Sequence, residues 1–188
     1  MPTGRTLNDP RTMLLDAGRR VIAARGASAL TSRAVAEESG VAKGVLHRHF
    51  ADFDTYVAAL VDDEAARIRG IEPRAAESAA AAVTDVIEQT FTPSMLALVS
   101  LVIGRDGVRR RLADRRAGIP LLGEATTAVA DVLAAGREVG WIRPDADVPV
   151  LSLALAGSAY ILAAGASGTL PRHDAVHEFV TSILVTSI

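Results

Sequence analysis

Between Thr31 and Phe50 the chain gathers side chains suited to base edges and to phosphates, spaced as two short helices joined by a glycine. Arg48 can donate two hydrogen bonds to a guanine edge, Val45 can touch a thymine methyl, and Gly44 lets the backbone approach DNA closely. Lys43 and His47 suit phosphates, as do Thr31 and Ser32 at a helix start, where free backbone N–H groups and the helix dipole favour an anion. Arg33 and His49 complete the expected DNA-binding set. The chemistry is non-covalent recognition: phosphate contacts hold register and base contacts specify.

Those groups need rigid support. Thr31 and Ser32 are good N-cap residues ahead of the apolar trio Ala34, Val35 and Ala36, so a helix is expected from about Ser32 to Ser39. Gly40 should end it in the left-handed conformation, with Val41 filling the angle. A second helix is expected from Ala42 to Phe50. Its helical period puts Leu46 and Phe50 on an anchoring side and Gly44, Val45, His47 and Arg48 on the opposite, free side. Ahead of both, Asp9 can cap a helix whose first residue is Pro10. Leu14, Ala17, Gly18, Val21 and Ile22 recur there at helical spacing until Gly26. The three helices make a unit of helix-turn-helix layout, about the smallest that can hold a reading helix against its own core.

Charge supports a split of roles. Residues 1–50 carry eight basic and four acidic side chains, a net of +4, inside a chain whose net charge is −2. The remainder is therefore acidic, and the basic front is suited to a polyanion, although a solvated basic face is the plain alternative.

Residues 11–60 resemble the N-terminal domain of the tetracycline-repressor (TetR) family of bacterial transcription regulators. The resemblance runs through the alanine-rich first helix ending at Arg25-Gly26, through Thr31 and Ser32, through A-E-E-S-G-V at Ala36 to Val41, and through A-K-G-V-L-H-R-H-F at Ala42 to Phe50. Family members typically read S-K-G-T-L-Y-x-H-F there. Lys43, Gly44 and Leu46 match directly, and His49-Phe50 matches a common ending. Val45 replaces a usual threonine and His47 a usual tyrosine, so two phosphate-binding hydroxyls are missing. Phe53 stands where the family generally has a lysine, flanked by Asp52 and Asp54, which removes another phosphate contact. DNA binding is expected to persist with a shallower salt dependence, by about one unit of slope per lost contact.

Past residue 52 the chain changes character. A fourth helix is expected from Phe53 to about Arg69, with Tyr56, Val57, Leu60 and Val61 on its inner stripe. Further helices are expected over 74–90, 94–103, 106–116, 120–139, 149–166 and 172–188, broken at Pro93, Gly104, Gly118, Gly140, Pro144 and between Gly165 and Pro171. No alternating strand pattern of useful length appears. The expected architecture is all-α, with about nine to ten helices. A helix-turn-helix head spans 1–52, and a larger helical body for effector binding and dimerisation spans 53–188.

The resemblance implies a small-molecule effector in that body and a homodimer joined by its last two helices. Phe91, Met95, Val99, Val102, Thr126 and Tyr160 are the expected effector-pocket residues, as an apolar cavity with a few polar handles; the plain alternative for each is core. The dimer face is expected from Ala154, Gly157, Ser158 and Ile161, small enough at several positions for close approach, with Val176, Phe179, Val180, Ile183 and Leu184. Packing of both helices within the monomer is the alternative. The arginine run Arg105, Arg109, Arg110, Arg111, Arg115 and Arg116 reads as a solvated helix face or as the mouth of a pocket for an anionic effector.

Several classes are excluded or disfavoured. The chain has no cysteine, which removes disulfides, zinc fingers and cysteine nucleophiles. No nucleophile motif or glycine-rich phosphate loop appears, so no enzyme and no cofactor are expected. His47 and His49, two apart on one helix, point in different directions, which argues against a shared metal. The apolar run from Val150 to Ala166 is shorter than the roughly twenty residues a bilayer needs, so no membrane partner is expected. No signal-peptide pattern opens the chain, so a cytoplasmic location is expected. The expected function is a dimeric transcriptional regulator, a repressor released from palindromic double-stranded operator DNA by a small, largely apolar effector. The alternative is a helical interaction module of the same fold with weak or lost DNA binding.

Overall fold

The computed structural model describes residues 9–42, 44–113, 118–165 and 169–185. Among them the chain forms ten α-helices and one 3-10 turn, and no strand. The helices are α1 (Pro10–Arg25), α2 (Ser32–Ser39), α3 (Gly44–His49), α4 (Phe53–Arg69), α5 (Ala79–Thr90), α6 (Pro93–Gly104), α7 (Asp106–Ala113), α8 (Leu122–Glu138), α9 (Val148–Gly165) and α10 (His173–Leu184), with the 3-10 turn at Ala27–Ala29.

Local chemistry explains where most of them start. Asp9, Thr31, Asp52, Ser78 and Thr92 each accept a backbone N–H from the first turn of the helix they precede, satisfying donors that a helix leaves orphaned. Proline opens α1 and α6. At α8 the cap is reversed: the Glu124 carboxylate accepts from the backbone N–H of Leu121 at 2.8 Å.

Several elements depart from the expected bounds, α8 among them, which begins at Leu122 rather than Pro120. α3 begins at Gly44 rather than Ala42. α5 begins at Ala79 rather than Arg74, because Ser78 caps it and the segment before it folds back, with the Arg74 backbone N–H donating to Asp85 at 2.9 Å. α10 begins at His173, and the expected extensions to Arg116, Ala166 and Ile188 run into residues outside those described.

α1, α2 and α3 pack on one another, and α4 leaves them to pack against α1, α6, α7 and α8. In the body α8 lies against α5 and α9, and α10 closes over α5 and α9. One continuous hydrophobic core runs from Leu14 and Val35 through Tyr56 and Leu60 of α4 to Leu133 and Leu155. The helices at the front of the chain are therefore joined to the rest through packed side chains of α4.

Candidate nucleic-acid interface

α3 is only six residues long, so it depends on tertiary packing for its place. Leu46 and Phe50 are almost wholly buried beneath it. The Phe50 ring meets Tyr56 of α4 edge-on, with centroids 5.1 Å apart and planes at 82°. The buried Tyr56 hydroxyl donates to the Leu14 carbonyl oxygen at 2.8 Å, and burial pushes the phenol well above its ordinary pKa. Gly18 makes room for it, since a Cβ there would collide with that hydroxyl. The turn before α3 is made by Gly40 at φ 70°, ψ 8°, the left-handed region that favours glycine.

This support leaves an outward face. Gly44, His47, Arg48 and His49 are exposed, while Val45 is half-buried and packs against the core. Arg48 makes no ion pair among the described residues, so its guanidinium is available to an incoming acceptor. Thr31 and Arg33 are exposed at the start of α2 and Ser32 is half-exposed. The Thr31 Oγ1 accepts from the Ala34 backbone N–H at 3.1 Å, leaving its hydroxyl proton for a phosphate. Arg33 pairs with Glu37 one turn on at 2.7 Å; that hydrogen bond raises the arginine and lowers the carboxyl. Arg33 therefore reaches a phosphate only by giving up this partner, an inexpensive exchange for an exposed pair. Lys43 lies outside the described residues.

His49 faces a different way from Arg48. It lines a cleft of about 320 Å³ with Arg11, Phe50 and Arg111 between the head and α7, and the Arg11 guanidinium sits over the Phe50 ring at 5.4 Å. Elsewhere in the head arginines are spent on structure: Arg20 holds Glu38 at 2.7 Å, tying α1 to α2, and Arg19 pairs with Asp16 and with Asp63 of α4. Among the described residues no group of three or more histidines and carboxylates is placed to hold a metal.

Phe53 is turned into the molecule. Its ring stacks on Tyr56 at 5.6 Å and lies beneath the Arg105 guanidinium at 5.4 Å. The arginine run accordingly divides. Arg105 and Arg111 pair with Asp54 and Asp52 at the start of α4, Arg109 pairs with Asp106, and Arg110 is exposed. Arg115 and Arg116 fall outside the described residues. The run is not a wholly solvated face, because Arg105 and Arg111 reach back to carboxylates 51 and 59 positions away, and Arg111 also lines the cleft beside His49. These junction residues carried no local sequence signal beyond the two acids around Phe53.

In the body, Phe91, Met95, Val99 and Val102 are fully enclosed, and none lines a described cavity. Thr126 donates its hydroxyl to the Leu122 carbonyl oxygen at 2.9 Å and also lines none. Tyr160 does line one, a cleft of about 410 Å³ between α1, α6 and α9. A second cleft of about 420 Å³ lies between α4, α5 and α8, beside Ile68, Glu124 and Asp131. The hydroxyls of Thr90 and Ser94, at the bend between α5 and α6, are buried without a hydrogen-bond partner among the described residues.

The expected dimer residues fall into two groups. Val176, Val180 and Leu184 are fully buried inside the monomer. Ala154 and Ile161 are exposed, Gly157, Ser158, Phe179 and Ile183 are partly so, and open space lies in front of Gly157. Ser158, Ile161, Phe179 and Ile183 share an open groove of about 580 Å³ between α9 and α10. α9 is also the one described helix that, by itself, is long and apolar enough to cross a membrane, with mean hydropathy 1.8 over 18 residues. Its inner face, Leu155, Ala156, Ala159 and Ala163, is buried in the body.

Residues 14–52 match the family model of the bacterial regulatory proteins of the tetR family. No curated protein matches the chain. Solved structures do, over nearly the whole length. A putative TetR-family transcriptional regulator from Rhodococcus sp. is 18% identical with a TM-score of 0.68, covering 94% of this chain and 97% of its own. The fatty acid degradation regulator FadR from Bacillus halodurans is 14% identical with a TM-score of 0.67, covering 96% of both chains. The multidrug binding protein EbrR, complexed with imidazole, is 20% identical with a TM-score of 0.57, covering 93% and 94%. Residues 14–52 are thus similar to the head of the bacterial regulatory proteins of the tetR family, and the chain as a whole shares its fold with these solved structures.

Proposed function

We propose that the chain is a cytoplasmic, homodimeric repressor that is released from palindromic operator DNA when its body takes up a small, largely apolar effector. The observation that carries the DNA half of this reading is the outward face of α3, where Arg48 stands exposed above the anchors Leu46 and Phe50, without an ion pair among the described residues. In this reading Gly44, Val45 and Arg48 meet bases, and Thr31, Ser32, Arg33, Lys43, His47 and His49 meet the backbone. Residues 1–52 act as the reading head and 53–188 as the regulatory body.

The dimer half rests on the outer face of α9 and α10. Val150, Leu153 and Ile161 are at least 60% exposed along one side of α9, which an isolated soluble monomer rarely tolerates over a contiguous patch. A second copy is the occupant we assign, with Ala154, Gly157, Ser158, Ile161, Phe179 and Ile183 at the seam. Its α9 and α10 would complete a four-helix arrangement with these. Val176, Val180 and Leu184 support the seam from behind. A lipid occupant is disfavoured because the inner face of α9, at Leu155, Ala156, Ala159 and Ala163, is committed to the body.

For the effector, two buried hydroxyls without partners among the described residues, Thr90 and Ser94, adjoin the enclosed Phe91 and Met95. Buried polar groups are nearly always satisfied, so a ligand entering this region would find hydrogen bonds to make. Val99 and Val102 continue the same apolar stripe of α6. Thr126 and Tyr160 stay in the proposal as polar handles. The solved complex of EbrR with imidazole places a small molecule on a protein of this fold. To take occupancy from almost full to almost none, the effector must prefer the released state by about 5 kcal/mol.

The experiment is a titration of the purified chain into DNA from upstream of its own gene, with footprinting. Protection of two half-sites about 10 base pairs apart, lost when either half-site is scrambled, is the expected result. Uniform binding to any DNA of equal length would overturn the operator reading.

A further inference from the structure

We propose that Asp54 with Arg105, and Asp52 with Arg111, are positioning residues: two ion pairs that fix the angle of the head by tying the first turn of α4 to the α6–α7 corner. The inference rests on the reading above, in which the angle of the two heads decides operator binding, and it assigns the means by which the body holds that angle.

The geometry is dense for a surface junction. Arg105 donates from Nε and Nη2 to one oxygen of Asp54 at 2.9 and 2.5 Å, while its guanidinium covers the Phe53 ring. The Asp52 carboxylate does two things at once. One oxygen caps α4, accepting from the Thr55 backbone N–H at 2.7 Å and its hydroxyl at 2.8 Å; the other takes the Arg111 guanidinium. Arg111 also donates to the Thr55 hydroxyl at 3.1 Å and to the Gly107 carbonyl oxygen at 2.8 Å. Gly107 is part of the design, since any Cβ there would strike the Asp54 carboxylate.

Each pair is only partly buried, with Asp54 at 26% and Arg105 at 40% side-chain exposure. Such pairs add little to global stability singly but fix orientation when they form a network. The other end of α4 is tied differently: Arg67 pairs with the buried Glu64 and donates to the Gln89 and Thr90 carbonyl oxygens at the end of α5. A shift of α6, beginning at the bend beside Thr90 and Ser94, therefore reaches the first turn of α4 through Arg105 and Arg111. The departure at Phe53 acquires a reason. A cation there would face Arg105, whereas an aromatic ring between two carboxylates accepts it.

The test needs neither operator nor effector. The chain has no cysteine, so Glu37→Cys on α2 and Glu138→Cys on α8, both exposed, give one spin-label pair per protomer. With labelled protein diluted in unlabelled protein, pulsed dipolar spectroscopy reads the distance from head to body. We expect Arg105→Gln and Asp54→Asn each to shift and broaden the distance distribution at unchanged helical content by circular dichroism. Arg105→Lys, which keeps the charge, should return it most of the way. An unchanged distribution, or a lower melting temperature with no change in distance, would overturn the proposal. Loss of helical content in both variants would do the same, by making these pairs structural props. Because no DNA is present, failure of the operator reading leaves this result standing, and the reverse also holds.

Discussion

The outward faces of α3 and of α9 are both exposed, and they ask for opposite neighbours. On α3, His47 and Arg48 project from a six-residue helix whose underside is held by Leu46, Phe50 and Tyr56. On α9, Val150, Leu153 and Ile161 project from an eighteen-residue helix whose underside is Leu155, Ala159 and Ala163. The first face gains by meeting acceptors and negative charge. The second gains only by leaving water, at roughly 25 cal/mol for each Å² buried. Exposure alone would make both plain surface; side-chain chemistry separates a face suited to a polyanion from a face suited to an apolar neighbour.

The largest expected effect attacks the apolar side of this comparison. Ile161→Glu should place a charge against a second copy at a cost of about 3 kcal/mol or more, above a hundredfold in dimer affinity. Analytical ultracentrifugation should then find monomers with native circular dichroism. A dimer as tight as wild type would move the interface elsewhere. On the polar side, Arg48→Ala should lose roughly 1–3 kcal/mol of discrimination against the wrong base. Competition with scrambled DNA reads this directly, and retained specificity would displace the reading face from α3.

Smaller effects probe what holds the polar face in place. Tyr56→Phe removes the hydrogen bond to the Leu14 carbonyl oxygen and should cost about 1 kcal/mol in chemical denaturation. No change would mean that the ring contact with Phe50 alone seats α3. The smallest effect concerns pH. The Thr55 backbone N–H, then its hydroxyl, and then Arg111 hold the Asp52 carboxyl below its ordinary value of 3.8. A depressed carboxylate stabilises the fold above the unfolded value and loses that contribution as pH falls through the folded one. The Asp52 carboxyl carbon, followed by NMR, should therefore titrate below 3.8. A midpoint at or above it would remove the cap and the Arg111 contact from the account.

Legibility in the sequence followed the range of the interactions. Asp9, Thr31, Gly40 and Asp52 act within three or four residues, and the helices they bound, α1, α2 and α4, lie where composition placed them. The split of Leu46 and Phe50 from Arg48 followed from the helical period alone. α5 was placed too early because nothing local reveals that Arg74 folds back onto Asp85. Asp54 and Arg105, or Asp52 and Arg111, are invisible as pairs in a linear chain, since loop closure over half a hundred residues leaves no periodic trace. The same holds for the enclosed Phe91, Met95, Val99 and Val102. A helical apolar stripe looks alike whether it faces a cavity or packed neighbours.

The central claim is that Arg48 on an anchored α3 reads a specific sequence while neighbouring groups grip the phosphates. Fluorescence anisotropy with DNA from upstream of the chain's own gene, run for wild type and Arg48→Ala across a salt series, tests it most directly. The account predicts that log affinity falls linearly with log salt for both proteins, with specific binding weakened roughly tenfold or more in Arg48→Ala. Binding insensitive to salt, or equal sequence discrimination by the two proteins, would contradict it.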